Sequence, residues 1–362
     1  MYYLLFFISV FFLSLFLTWV IKKIAIRLGV VDRPKAGRKI HKNEVPLLGG
    51  LAVFFSFFIV LFFAQDRILA GDLEINHWFG LFVGACFLMI GGFLDDKYNL
   101  KPKYQIIFPI LAALAIIAGG VNIEKITNPF GGFWNLGAIS LPVISWDGQM
   151  HYFIVISDML IIFWLMGMMY TTKLLDGLDG LVTGVTAIGA IIIFLFTMTD
   201  KYNQPDIAVA ALILAGACLG FLVFNWHPAR IFLGEGGSLL LGFILGVLAI
   251  ISGGKIAIAL LIMGLPILDV AWTIIRRLMS GKNPFKFSDK KHLHFRLFAL
   301  GIGQRKTVLI YYFFSAFFGL SALFLQSLGK LLALVALILI MAGFITSFNY
   351  LDKKQPHKEK IR

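Results

Sequence analysis

Long apolar runs are the feature that most limits what this chain of 362 residues can fold into. Several of them reach the roughly 18 to 20 residues that a helix needs to cross the hydrocarbon core of a bilayer. Hydrophobic residues make up 59% of the sequence and charged residues only 14%. Because backbone polar groups in lipid must be satisfied within their own segment, the runs predict an all-α polytopic membrane protein.

Runs bounded by polar or Gly/Pro turns predict about eleven transmembrane helices. They lie at 3–21, 47–64, 78–94, 104–121, 152–172, 181–199, 207–225, 238–253, 255–275, 307–326 and 331–350. The first run is too long for the core of a secretory signal and lacks a small-residue cleavage site, so we interpret it as a membrane helix. We expect one integral membrane domain over 1–350 and a basic tail over 351–362.

The basic residues are distributed unevenly about these runs. The net charge is +13, and all but five of the 32 Lys and Arg residues share one side of the membrane if the N-terminus is outside. Cytoplasmic loops carry this excess, so the pattern predicts an external N-terminus and a cytoplasmic C-terminus in the plasma or inner membrane. The same sorting argues against a nucleic-acid partner. The outward segment 122–151, with its Gly/Pro turns and short apolar runs, predicts a small β-hairpin.

Carboxylates occur at the predicted cytoplasmic ends of the spans. Asp95 and Asp96 stand in "GGFLDDKYNLKPK", and Asp176 and Asp179 stand in "KLLDGLDGLVTGV". Adjacent acidic residues at a helix C-terminus repel each other and oppose the helix dipole, so a cation or substrate is needed to offset them. Acidic residues at membrane depth usually serve function. The structural alternatives are an exposed acidic turn for the first pair and a helix cap for Asp176.

Two further motifs suggest phosphate binding. In "NWHPARIFLGEGGSLLLG", the glycines Gly234, Gly236 and Gly237 before Ser238 are typical of an anion cradle at a helix start. Glu235 within that turn is a carboxylate of the kind that holds magnesium beside a phosphate.

The basic loop "RRLMSGKNPFKFSDKKHLHFRL" is the second of them, and it contains His292, His294 and Arg296. The two histidines would face the same way on an extended segment and could meet a phosphate. Attraction of the loop to anionic lipid headgroups is the alternative interpretation.

This mixture of residues indicates phosphoryl transfer. Carboxylates can hold a divalent metal and accept a proton, while cations and backbone N–H groups stabilise charge on phosphate oxygens. A substrate that is both phosphorylated and lipid-soluble would explain why the motifs meet at a membrane surface. A transporter or flippase is the competing class, but its carboxylates are expected near mid-membrane.

The chain resembles a known family, the polyprenyl-phosphate N-acetylhexosamine-1-phosphate transferases of glycosyltransferase family 4. These enzymes are related to the muramoyl-pentapeptide transferases. Five segments carry the resemblance in the family's order: "RKIHKNEVPLLGG", "FLDDKYNLKPK", "LLDGLDGLVTG", "NWHPARIFLGEGGS" and "LPILDVAWTIIRRLMSGKNPFKFSDKKHLHFRL". The predicted number of spans and the short form "HLH" look more like the N-acetylhexosamine group.

The resemblance implies transfer of a sugar 1-phosphate, with N-acetylglucosamine as the expected sugar, from a UDP-sugar to polyprenyl (undecaprenyl) phosphate. UMP is released, and the product begins a cell-envelope glycan. It also implies Mg²⁺, with Mn²⁺ as an alternative, and leaves a homodimer open.

Roles carried over from the family fall on matching positions. Asp95 and Asp96 are expected near the lipid phosphate, with one of them as a base, and Asp176 and Asp179 are expected on the nucleotide side. Lipid-phosphate contact is expected for Arg38 and His41, and His292, His294 and Arg296 match the family's pyrophosphate-binding loop. We also expect substrate contact for Lys173, Gly234, Gly236 and Ser238. Glu235 and Asp179 are the expected metal ligands.

Three departures from the family pattern bear on the metal and the phosphates. Glu235 stands where the family usually has Asp, Lys173 where it usually has Asn, and Phe295 where it usually has His. An ammonium cannot coordinate magnesium, so metal dependence is in doubt. Our hypothesis is that Lys173 pairs with Glu235 and takes over part of the metal's role. The alternative is a catalytically silent relative that has lost both metal and activity.

Overall fold

The computed structural model describes residues 2–33, 44–71, 73–128, 130–146, 149–253, 256–281 and 292–354, and it is mostly helical. The helices are α1 Tyr2–Arg27, α2 Gly49–Phe63, α3 Gln65–Ile68, α4 Ile75–Tyr98, α5 Pro102–Gln105, α6 Ile107–Ala118, α7 Val155–Leu175, α8 Leu181–Thr197, α9 Pro205–Asn225, α10 Gly234–Ile251, α11 Ile256–Ile262, α12 Gly264–Met279, α13 Leu293–Leu297, α14 Gln304–Phe324 and α15 Ser327–Lys354. A π-helix, Phe298–Ile302, joins α13 to α14.

The prediction of a helical membrane protein with several spans is confirmed, and the number of eleven spans stays a prediction. In the described ranges, seven helices are long and apolar enough to cross a bilayer, namely α1, α4, α7, α9, α10, α14 and α15. An eighth span results if α11 and α12, which bend by 81° at their junction, count together. Three other predicted spans coincide with shorter apolar helices, α2, α8 and the segment Pro102–Ala118.

Helix α10 forms the centre of the bundle and packs against α2, α4, α7 and α8. Of the 18 residues of α10, 89% are buried. Glycines make the close approach possible, because a Cβ on Gly50 of α2 would collide with Gly237, and one on Gly92 of α4 would collide with Gly236. These contacts bring the end of α4, and with it Asp96, to the first turn of α10.

Short antiparallel strands lie in the segment where one hairpin is predicted. Strands β3 Lys125–Thr127 and β4 Phe133–Asn135 pair with each other, and so do β5 Ser140–Trp146 and β6 Gln149–Ile154. The hairpin prediction is therefore confirmed, with two ribbons in place of one. Strands β1 Val31–Asp32 and β2 Val45–Pro46 form a separate two-residue ladder. Predictions for Arg38, His41 and the tail residues 355–362 fall outside the described residues.

Candidate active site

One cavity of about 680 Å³ collects residues from four of the sequence motifs. The cavity is lined by one lysine and five carboxylate residues: Asp32 from β1, Asp96 from α4, Lys173 from α7, Asp176 and Asp179 from the loop between α7 and α8, and Glu235 from α10. Ligand pockets commonly range from about 300 to 1,000 Å³, so the space suits a nucleotide-sized molecule. The sequence prediction that these motifs meet is therefore matched by their contacts.

The two adjacent aspartates at the end of α4 point to different surroundings. Asp96 lines the cavity, and its carboxylate accepts hydrogen bonds from the backbone N–H of Glu235 at 3.1 and 3.2 Å. The first turn of α10 thus already has an anion at its positive end. Asp95 is not among the lining residues; its Oδ1 accepts from the Leu100 N–H at 2.7 Å and from Gln105 Nε2 at 2.9 Å. Only one member of the pair faces the candidate site.

The glycine turn at the start of α10 has a packing role as well as a lining role. Gly234 lines the cavity with a φ of 76°, and Ser238 lines it with its hydroxyl donating to the Glu235 carbonyl at 2.9 Å. Gly236 is buried against Gly92 and is not among the lining residues. Close helix packing therefore explains Gly236 and Gly237 without a bound anion. The motif alone does not show this packing.

Lys173 forms an ion pair with Glu235, so the predicted pairing of these two residues is confirmed. The ammonium also donates to Gln105 Oε1 at 3.1 Å. The two side chains are only 19% and 20% exposed, so water and salt screen the attraction between their charges less than they would at the protein surface. Gln105, which sequence analysis missed, links the lysine to Asp95 because its Nε2 donates to that carboxylate.

Asp179 is held from the opposite direction by the segment after α9. His227 Nδ1 lies 2.6 Å from Asp179 Oδ2, and the Ala229 N–H donates to the same oxygen at 3.1 Å. An ionised carboxylate can only accept, so Nδ1 is the donor in that state. His227 lines the cavity and stands within a quoted motif, yet sequence analysis gave it no role.

The loop that carries Asp176 and Asp179 is fixed by side chains that the sequence did not single out. Asn225 is buried; its Oδ1 accepts from the Gly180 N–H and the Thr183 hydroxyl, and its Nδ2 donates to the Ile231 carbonyl. The Tyr312 hydroxyl donates to the Gly180 carbonyl at 2.5 Å. A buried asparagine that satisfies both its donor and its acceptor groups is a strong positional constraint.

The Asp176 side chain is open to the cavity, and protein atoms and other carboxylates surround it. Desolvation raises its pKa to about 7, and the charges of Glu235 and Asp179 act in the same direction. A carboxyl group that titrates near neutral pH is suited to proton exchange or to a role that depends on its charge state.

The histidines of the basic loop lie behind the cavity. His292 Nδ1 is 3.2 Å from Asp269 Oδ2, the Leu293 N–H donates to Asp269 Oδ1 at 2.9 Å, and the rings of His292 and His294 stack. Burial lowers the pKa of His294 to about 4, so this ring is neutral at physiological pH. The two rings do face the same way, as predicted, but they face Asp269. Phe295 is the residue of α13 that lines the cavity, and the Arg296 guanidinium lies over the Phe348 ring.

The predicted magnesium ligands do not form a ready metal site. Glu235 is paired with an ammonium, and Asp179 is engaged by His227 and Ala229. Across the described ranges, no group of three or more His, Cys, Asp or Glu side chains is placed to hold a metal ion. The residues as arranged therefore do not fit magnesium bound through Glu235 and Asp179.

Comparison with known proteins places the chain. Residues 78–253 match the model of "Glycosyl transferase family 4". A "Probable undecaprenyl-phosphate N-acetylglucosaminyl 1-phosphate transferase" of Bacillus subtilis is 31% identical over 334 residues, which cover 90% of this chain and 86% of the relative. The chain belongs to glycosyl transferase family 4. It is accordingly a multi-pass membrane transferase.

Two further relatives represent two groups within the family. An "Undecaprenyl-phosphate alpha-N-acetylglucosaminyl 1-phosphate transferase" of Thermotoga maritima is 30% identical, with 86% of this chain and 87% of the relative covered. A "Phospho-N-acetylmuramoyl-pentapeptide-transferase" of Bacillus pumilus is 32% identical, with 74% of this chain and 79% of the relative covered. The resemblance stated from the motifs is confirmed, and both predicted branches of the family are represented.

Proposed function

We propose that this protein transfers N-acetylhexosamine 1-phosphate, with N-acetylglucosamine as the first sugar to test, from a UDP-sugar to polyprenyl phosphate. An oxygen of the lipid phosphate attacks the sugar-proximal phosphorus, the bond to the UMP oxygen breaks, and polyprenyl-diphosphate-sugar and UMP result. The observation that carries the proposal is a single cavity where Lys173 and five carboxylates meet in a chain of this family. Initiation of a cell-envelope glycan is the biological role that we infer.

Electrostatics of the cavity support a division between the two substrates. Phosphoryl transfer depends on positioning and on stabilising charge at phosphate oxygens. Among the described lining residues Lys173 is the only Lys or Arg, and Asp179, which lines the same cavity, contacts His227. We assign the region around Asp179 and His227 to the nucleotide sugar and the region near Asp96 to the lipid phosphate.

Asp96 is the better candidate for the base within the adjacent pair. It faces the cavity, whereas Asp95 is engaged by Leu100 and Gln105. A base must come within hydrogen-bond reach of the proton that it accepts, so access decides between two neighbouring groups of the same type. The Glu235 N–H orients the Asp96 carboxylate for that task.

The orientation of the protein in the membrane is part of the proposal. We place the cavity on the cytoplasmic side, with the N-terminus outside, because the segments on that side hold nearly all of the 32 Lys and Arg residues. UDP-sugars are cytoplasmic metabolites, which is consistent with this side. Labelling of single introduced cysteines by a membrane-impermeant reagent in intact cells tests it, at Lys201 for the outside and Lys103 for the inside.

The decisive experiment is transfer of radiolabelled sugar from UDP-N-acetylglucosamine to undecaprenyl phosphate by the purified protein in detergent. Label in the lipid fraction that is absent from the Asp176→Asn variant establishes the reaction. Parallel reactions with magnesium and with chelator test the metal prediction. Absence of label with this donor and with other UDP-N-acetylhexosamines would favour a silent relative that kept the fold and lost the reaction.

A further inference from the structure

The ammonium of Lys173 occupies a built position inside the cavity. It pairs with Glu235, donates to Gln105, and stands at the end of α7, one turn before Asp176. Among the described residues that line the cavity, it is the only Lys or Arg. Five carboxylates line the same space, so negative charge surrounds the ammonium.

Both partners of Lys173, Gln105 and Glu235, are themselves fixed to the end of α4. Gln105 Nε2 donates to Asp95 Oδ1 at 2.9 Å and to the Leu100 carbonyl at 3.0 Å. The backbone N–H of Glu235 donates to Asp96. The chain of contacts therefore runs from Asp95 through Gln105 and Lys173 to Glu235, and back to Asp96. A flexible lysine stem loses its freedom in such a network, which preorganises the charge before a ligand arrives.

A metal on Glu235 would compete with this ammonium for the same carboxylate. The Lys173 ammonium carries three donors and no lone pair, so it cannot itself coordinate Mg²⁺. Its compact charge does suit phosphate oxygens, for which lysine is an established partner. The two residues that depart from the family pattern, Lys173 and Glu235, are thus in direct contact, and we interpret them as one paired change.

We infer that Lys173 is the resident cation of this site. Its ammonium, positioned by Glu235 and Gln105, neutralises the diphosphate of the nucleotide donor, and Glu235 acts as the positioning carboxylate of that lysine and not as a metal ligand. The inference rests on the proposed function for the identity of the donor. It predicts donor binding that survives the removal of divalent metal.

The first test measures metal binding alone, by electron paramagnetic resonance of free Mn²⁺ titrated with the full-length protein in detergent. We expect the Mn²⁺ affinity of the wild-type protein to be the same in the Glu235→Gln variant. Lys173→Met should gain Mn²⁺ affinity by about 10-fold or more, because it frees a partly buried carboxylate. Mn²⁺ that is bound by the wild-type protein and released in Glu235→Gln would overturn the inference.

The second test measures UDP binding by calorimetry in excess chelator. Lys173→Gln should weaken UDP affinity by about 10-fold or more, as expected for loss of a charge-assisted contact, and Lys173→Arg should restore part of it. Lys103→Gln is the matched control, because this exposed lysine lies outside the cavity and its loss should leave affinity unchanged. Wild-type protein that binds UDP only with magnesium, or equal affinity in Lys173→Gln, would contradict the inference.

These binding tests do not depend on turnover, so the two proposals can fail separately. A protein that binds UDP through Lys173 but transfers no sugar to lipid would refute the proposed function alone. A protein that transfers sugar and loses Mn²⁺ binding in Glu235→Gln would refute the inference alone.

Discussion

Two polar clusters lie back to back in this protein, and they differ in access. The cavity cluster consists of Asp96, Lys173, Asp176, Asp179 and Glu235, which line a space of about 680 Å³. The closed cluster consists of Asp269, His292 and His294, which are 2%, 4% and 0% exposed. Gly177 separates the two, since it lines the cavity and a Cβ there would lie 2.7 Å from His294 Nε2.

Polar residues of the same types therefore serve two different purposes in this protein. The same residue types, carboxylates and a basic partner, appear in both clusters. The cavity cluster lines an open space, whereas the closed cluster is buried and fixes α13 to α12 through Asp269. Variants should therefore separate into those that remove activity and those that remove stability.

The largest expected effect is on catalysis within the cavity cluster. Asp96→Asn should lower sugar transfer by about 100-fold or more, because loss of a general base typically costs about two to four orders of magnitude. Asp95→Asn is the matched control on the neighbouring residue, and it should retain most of the activity because Asn can still accept from the Leu100 N–H. Initial rates at saturating donor decide the matter, and equal losses in both variants would refute the assignment.

The closed cluster should yield the largest effect on stability. Asp269→Ala removes the acceptor for the Leu293 N–H and the partner of His292, and we expect a loss of about 2 kcal/mol in unfolding free energy. Unfolding in detergent micelles measures it, with Asp269→Asn as a milder control that keeps one acceptor. If Asp269→Ala unfolds like the wild type and still loses transfer, the closed cluster has a direct role in the reaction.

The boundary between the clusters can be tested with a single methyl group. Gly177→Ala places a Cβ 2.7 Å from His294 Nε2 and 2.9 Å from Phe295 Cζ, and such overpacking typically costs about 1 to 3 kcal/mol. We expect lower thermal stability together with weaker UDP binding. Gly167→Ala is the control, because nothing lies within 4 Å of that Cβ and the helix interior gains from alanine. Similar losses in both variants would argue against a tight boundary at Gly177.

The smallest effect concerns the pH dependence of stability. The pKa of Asp176 is raised to about 7 from an ordinary value of 3.8, so between those values the folded protein binds a proton that the unfolded chain has released. Its stabilising contribution is therefore fully present at low pH and is lost as the pH rises through about 7. Melting temperatures from about pH 8 down to about pH 5 should rise in the wild type relative to Asp176→Asn. Parallel curves for the two proteins would contradict the raised pKa.

Sequence analysis located most of the cavity cluster because its members stand in short, unusual motifs. Asp96, Asp176, Asp179 and Glu235 were all candidates, and each lines the cavity. It missed Gln105 and His227, which contact the cluster from other elements, and Asn225, which holds the loop that carries Asp176 and Asp179; all three look ordinary in a linear pattern. The phosphate role of His292 and His294 stays a prediction, and spacing alone does not show that both rings lie beside Asp269.

The sequence by itself determined the class of molecule, the family and the residue types available for chemistry, since apolar length and motif order are properties of the linear chain. Only the tertiary structure decided which of Asp95 and Asp96 faces the cavity, that α11 and α12 bend by 81°, and that Lys173 meets Glu235. Those outcomes depend on how helices distant in sequence pack together. The glycine contacts of α10 with α2 and α4 set that packing, and a contact between two distant glycines is not encoded in the neighbourhood of either one.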